Sequence, residues 1–310
     1  MLRIFFSAAA AILAVTLSAA WADDAPIPGQ TLPASPVPAD PAPIGSDSTG
    51  QTQPNGDTQD PIFVTARGLP PGSRQIVTTY EGSWNGISAL NIAIAATITP
   101  RSYAAVAKLS PDGLTDLTKR LRANTTFDAR ASGDMKGWGD PSPVDYFHQG
   151  GTKRRIVEVT FQPDGVTTMA KPKFGNYGDP PASPAQRKEA IDPLSAAIAM
   201  VSAEGDNVCR QSLKIFDGKA RYDLLLTPAG TEKIKVGGYK GPAIKCNARY
   251  LRVAGYDKPE KGEKSLVDKP FAIWFAPAEN GLQVPARIRI ESNYGPINVK
   301  LQSVKAITVS

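Results

Sequence analysis

Leu90-Asn91-Ile92-Ala93-Ile94-Ala95-Ala96-Thr97-Ile98 sets its large aliphatic residues at 90, 92, 94 and 98 on one parity and small or polar residues on the other. Side chains of a strand point alternately to opposite faces, so this spacing predicts a strand from a sheet that buries one face. The rhythm returns downstream: Lys245, Asn247 and Arg249 alternate with Ile244, and Arg287 and Arg289 alternate with Ile288 and Ile290. Turn signals separate such runs. Asp217-Gly218, Asn280-Gly281, Pro111-Asp112-Gly113 and Pro163-Asp164-Gly165 all supply residues that tolerate a tight hairpin. The expectation is a mainly β body: a single antiparallel sheet, meandering through hairpins and strongly curved into a half-barrel or barrel-like form that protects its edges.

One segment breaks the period of two. Asp192 is placed to cap a helix whose first position is Pro193, after which Leu194, Ala197, Ile198 and Val201 recur at helical spacing before Gly205. From Pro193 to Ala203 there is no charged residue, and a helix apolar on nearly all sides is expected to be enclosed, here by the concave side of the sheet. A second, weaker helical pattern covers Leu114 to Arg122. One or two short helices inside a curved sheet is therefore the predicted architecture.

The chain divides by composition. Arg3 precedes an apolar run from Ile4 to Val15, and Ala20-Trp21-Ala22 supplies the small-x-small pattern of a signal-peptidase site, which predicts a signal peptide over 1–22 cut between Ala22 and Asp23. The rival reading, an uncleaved anchor, meets an apolar stretch shorter than the roughly 20 residues that span a bilayer. Residues 23–61 hold nine Pro and six Asp but no Lys, Arg, Phe, Trp or Tyr, a composition that cannot bury enough apolar surface to offset ordering entropy. They read as a disordered Pro-rich spacer. Residues 62–310 are then a single β-rich domain, exported to the periplasm, with secretion as the alternative, and not membrane-spanning after cleavage.

That domain holds thirty-four of the thirty-five Lys and Arg but twenty-three of the twenty-nine Asp and Glu, a balance of +11. A basic surface outside the cytoplasm meets anionic lipid or envelope glycan, and nucleic acid is not an expected partner. The local runs Lys119-Arg120-Leu121-Arg122 and Lys153-Arg154-Arg155 read as solvated faces.

Cys209 and Cys246 are the two cysteines of the chain. An even count in an oxidising compartment predicts one disulfide. Cys209 shares a parity with Leu213 and Ile215, and Cys246 with Ile244, Ala248 and Tyr250, which puts both thiols on the apolar side of strands. A redox couple, the alternative, normally places its thiols two residues apart and exposed.

Residues able to carry chemistry are sparse. His148, the lone histidine, sits in Asp145-Tyr146-Phe147-His148-Gln149-Gly150-Gly151, which reads as a strand end entering a loop, with no nucleophile elbow beside it. One His and two Cys make a poor zinc site, and no Gly-rich phosphate loop precedes a helix. Asp217, Arg221 and Asp223 raise the possibility of paired carboxylates, but Asp217 is explained by its turn, and Arg221 and Asp223 by a polar outer face opposite Tyr222 and Leu224. No catalytic residue, metal or cofactor is expected. Tyr80, Gly82 and Trp84 share one strand face and Trp274 lies in Phe271-Ala272-Ile273-Trp274-Phe275; core packing and the lining of an apolar pocket both remain open for them.

Taken together, Asp192-Pro193-Leu194-Ser195-Ala196, a Cys ahead of Phe216-Asp217-Gly218-Lys219-Ala220-Arg221-Tyr222-Asp223, the second Cys at 246 and Val284-Pro285-Ala286-Arg287-Ile288 make residues 75 to 303 resemble the bacterial domain-of-unknown-function 3108 family. That resemblance implies no activity, cofactor or catalytic residue. By fold-level analogy alone, the lipoprotein-carrier (LolA-like) arrangement of a bent sheet around helices suits the charge-free helix. The resulting functional expectation is an envelope protein that binds an apolar or amphipathic molecule, such as a lipid, without catalysis. The alternative is a structural or protein-interaction module lacking a ligand cavity.

Overall fold

Alternation along the chain becomes alternation of burial in the computed structural model, which describes residues 68–111, 126–151, 154–237, 239–257, 270–292 and 295–310. In β2 (Ile87–Ile98), Leu90, Ile92 and Ile98 are buried, Ile94 is half-buried and Asn91 is exposed. β12 (Gln283–Ser292) buries Val284, Ala286, Ile288 and Ile290 and half-exposes Arg287 and Arg289 between them. The leader with its cleavage site at Ala22 and Asp23, the spacer 23–61, the helical pattern at 114–122 and the run at 119–122 lie outside the described residues.

The remaining strands are β1 (Arg74–Trp84), β3 (Ser102–Pro111), β4 (Phe127–Gly137), β5 (Asp140–Gly150), β6 (Arg155–Gln162), β7 (Gly165–Lys171), β8 (Ser212–Phe216), β9 (Arg221–Val236), β10 (Tyr239–Ala254), β11 (Phe271–Pro277) and β13 (Gly295–Thr308). All thirteen form one antiparallel sheet in the order β7-β6-β5-β4-β3-β2-β1-β13-β12-β11-β10-β9-β8. Each half is a meander, and the two halves meet where β1 pairs with β13. Hairpin chemistry works as the turn residues predict at Asp217-Gly218, where Gly218 takes φ +104°, and at Asn280-Gly281, where Gly281 takes φ +78°.

Three prolines inside strands mark register shifts. Pro143 lies opposite the shift at Ser132/Gly133, Pro228 opposite that at Ile244/Cys246 and Pro285 opposite that at Trp274/Phe275. A bulge leaves a residue unpaired, so the missing N–H of proline is tolerated there, and each bulge bends its strand. The bends have a visible result: the helix α2 (Pro193–Ser202) contacts β3, β4 and β5 from one half and β8 and β12 from the other. A sheet whose distant strands touch one ten-residue helix is wrapped around it.

The sheet is not closed, since no ladder joins β7 to β8 among the described residues. Its two ends approach through side chains instead. A Cβ on Gly218 would stand 2.5 Å from a Val157 methyl carbon and 3.1 Å from one of Val159, so the β8–β9 turn rests directly on β6. The chain between the two edges, residues 172–211, holds a short capped helix α1 (Pro184–Lys188), then α2, then a 3-10 turn over Gly205–Cys209. Cys209 therefore ends a 3-10 turn instead of occupying a strand; the parity argument failed for it because Leu213 and Ile215 belong to a strand that begins only at Ser212. Cys209 and Cys246 are both fully buried with Cα atoms 5.2 Å apart, a separation that a disulfide spans. No helix of the described residues is long and apolar enough to cross a membrane.

Candidate functional site

The helix α2 begins at a polar anchor. Asp192 Oδ1 accepts hydrogen bonds from the backbone N–H groups of Leu194 at 2.9 Å and Ser195 at 3.0 Å, satisfying donors that a helix start leaves free. Its other oxygen accepts from the Ser195 hydroxyl, which also bonds the Tyr103 hydroxyl of β3, so helix and sheet are tied by a three-residue chain. All three are buried. Burial pushes the Asp192 carboxyl up to about 6 despite those bonds, and pushes the Tyr103 phenol above its usual range. The arrangement orients a helix; its serine is 0% exposed, out of reach of any substrate. Asp192→Ala is expected to lower stability by about 1–2 kcal/mol, read as a shift in urea midpoint with an unchanged slope.

Past this anchor the helix lies over an apolar slot. Leu194, Ala197, Ile198, Met200 and Val201 form one wall; Ile76, Thr78 and Tyr80 of β1, Ile92, Ile94 and Ala96 of β2, Ala105 of β3, Val284, Pro285 and Ile288 of β12 and Val299 of β13 form the others. The cavity measures about 70 Å³ and, among the described residues, no charged side chain lines it. Its polar atoms are the hydroxyls of Thr78, which donates to Ile94 O at 3.5 Å, and Tyr80, whose pKa burial pushes up to about 12. Ala197 and Val201 are half-buried, so the slot meets solvent on that flank of the helix.

Tyr80 thus takes both roles open to it, core and lining, while Gly82 is buried beside Leu90 and Trp84 packs against the core from a half-buried position. Trp274 does not line the slot: it is buried in the core cluster, 5% exposed, with Lys245 at 5.1 Å and Arg287 at 5.0 Å from its ring, and its indole N–H donates to Glu232 at 2.8 Å. The cross-strand convergence of Ile76, Ile94, Val284 and Val299 has no local signal; only the pairing of β1 with β2 and β13, and of β13 with β12, assembles it.

Three readings of polar residues need correction. His148 stands at the strand end that its sequence predicts, near the end of β5, but is buried instead of opening into a loop: it is 3% exposed, between the rings of Phe127 and Tyr146 at 5.4 Å each, and among the described residues neither ring nitrogen is hydrogen-bonded. Burial, helped by the nearby Arg155 charge, lowers its pKa to about 3, so it is a neutral core residue. Arg221 is not on an outer face: its side chain is buried, reaching Gln186 O at 3.1 Å, Tyr222 O at 2.7 Å, Asp223 at 2.5 Å and Glu189 at 3.4 Å. It lies at the first residue of β9, where α1 covers the sheet end, a contact that strand parity does not foresee. Arg155 of the basic run is likewise buried, donating to Pro172 O at 2.9 Å over the Phe174 ring at 4.7 Å. Asp217 does serve its turn, accepting from Lys219 N at 2.8 Å and Ala220 N at 2.7 Å, and burial raises its carboxyl to about 7. Among the described residues no group of three or more His, Cys, Asp or Glu is placed to hold a metal ion.

No curated protein matches this chain. Among solved structures it is similar to the hypothetical protein CT021 from Chlamydia trachomatis, at 12% identity over 78% of this chain and 90% of that one, TM-score 0.29. A second similarity is to an AttH candidate (NE1406) from Nitrosomonas europaea, at 10% identity over 77% and 68% of the two chains, TM-score 0.16. Residues 79–302, which run from β1 to β13 and include the helix, its anchor and every residue of the slot except Ile76 and Thr78, match the family described as protein of unknown function (DUF3108), and the chain belongs to that family.

Proposed function

We propose that this is an exported bacterial envelope protein of the periplasm that binds an apolar or amphipathic molecule in the slot beneath α2 and catalyses no reaction. The observation that carries the reading is the lining: sixteen residues from five strands and α2 present two hydroxyls, the Met200 thioether and otherwise hydrocarbon side chains. An apolar space is dry or filled by an apolar guest, because water there lacks polar partners. The wrapped sheet and the charge-free helix support, by fold-level analogy, a LolA-like, half-barrel arrangement with the helix on the concave side. Export is supported by the buried, disulfide-compatible Cys209–Cys246 pair, and an anionic lipid or glycan surface is the partner that the basic domain suits.

Protein purified from its native envelope and measured by native mass spectrometry is expected to carry a small apolar molecule, released on denaturation. A bare mass across several preparations counts against binding.

A second reading has one observation of its own. About 70 Å³ is well below the roughly 300–1,000 Å³ of most small-molecule sites, as a structural or protein-interaction module without a ligand would show. A bare mass combined with a stable envelope protein partner in crosslinking would favour it.

A further inference from the structure

The slot is long for its volume. Its β1 wall runs from Ile76 to Tyr80, about 13 Å at strand rise, and its helical wall from Leu194 to Val201, about 10 Å at helical rise. Seventy cubic ångströms spread along that length make a groove one side chain wide, not a chamber. Both long walls are rigid: β1 is laddered on each side by β2 and β13, and α2 is pinned at its start by Asp192, Ser195 and Tyr103. Widening it enough for a ring system means moving one of them.

We propose that the slot selects a single unbranched hydrocarbon chain, laid parallel to α2, with the polar end of the amphiphile left outside on the flank of Ala197 and Val201. This rests on the apolar-ligand reading and narrows it to a class. Charged head groups stay out because no charged residue lines the slot, and burying an unpaired charge is costly. The two hydroxyls are too few to reward a polar interior. A fused-ring sterol or bile acid has comparable hydrocarbon but a cross-section that the groove does not offer.

The test uses the full chain with straight-chain fatty acids from hexanoate to tetradecanoate, kept below micelle formation, against cholate and adamantane carboxylate. For chains, affinity is expected to tighten about fourfold per added methylene, the ordinary gain for burying one, and to level off on the order of ten carbons, where the groove ends. Rings should bind at least tenfold more weakly than the best chain. Ala197→Phe, which puts a ring into the slot from the half-buried side of α2, should reduce chain affinity at least tenfold, while Leu251→Ala, at an exposed position on β10, should leave it unchanged. Rings binding as well as chains, or affinity indifferent to chain length, overturns the proposal and leaves apolar binding standing. No binding by chain or ring overturns both. If Ala197→Phe does not fold, the length series on the unaltered protein still decides.

Discussion

Replacing His148 by Phe is expected to flatten the acid limb of the stability curve and raise stability at pH 4–5. The imidazole is enclosed by Phe127 and Tyr146 with no hydrogen bond to either nitrogen, and its pKa falls from 6.5 to about 3. Between those values the unfolded chain holds a proton at this site that the folded chain rejects, so stability from this group is complete above about 6.5 and is lost as pH falls toward 3. At about 1.4 kcal/mol per unit of pKa, the cost at the acid end reaches about 5 kcal/mol. Asp192 and Asp217 slope the other way. Their folded pKa values, about 6 and about 7, lie above the ordinary 3.8, so their contribution is full in acid and is lost as pH rises through those values. The readout is therefore the difference between the variant and the natural protein in urea midpoints across pH 3.5 to 7.5. A difference that does not grow as pH falls would sink the assignment of His148 as a buried neutral group.

Arg221→Ala should be among the most damaging single changes, costing about 3 kcal/mol or more. The guanidinium joins β9 to α1: its Nε donates to Gln186 O, one terminal nitrogen to Tyr222 O and Asp223, the other to Glu189. Removing it leaves a void under the helix and leaves the Tyr222 carbonyl and a half-buried Asp223 without their partner. Arg221→Lys should recover only part of the loss, because one ammonium cannot serve three directions at once. Urea unfolding checks both, and Arg221→Lys matching the natural protein would show that charge alone matters there. A loss below 1 kcal/mol for the alanine variant would place Arg221 on the surface after all.

Much of the architecture is written locally. The period of two in β2 and β12, the Asp-Gly and Asn-Gly turns, and the Asp192-Pro193 start of α2 each depend on neighbours within a few residues, and each is found where those neighbours put it. The absence of charge on α2 also foretold its burial, since no local alternative exists for such a helix. What failed was parity at element ends. Arg221, Arg155 and Cys209 stand at the first or last residue of an element, where alternation says little and the covering segment decides burial. His148 failed for another reason: Gln149-Gly150-Gly151 reads as a loop, yet Gly150 lies in the ladder because its missing Cβ admits the Phe127 ring. The slot was not legible at all, since its walls come from strands whose adjacency is settled only by pairing.

That pairing has a further consequence, for the order in which the molecule forms. Arg74 meets Thr308 across the β1–β13 ladder, so the middle of the sheet joins the most distant parts of the described chain, while its edges come from neighbouring stretches near the centre of the sequence. Each meander pairs strands that are neighbours in sequence, whereas the central seam carries the largest loop-closure entropy in the fold. Folding should run inward, from two separately collapsing halves to a slow docking step. The groove beneath α2, walled by both halves, comes into being only at that last step.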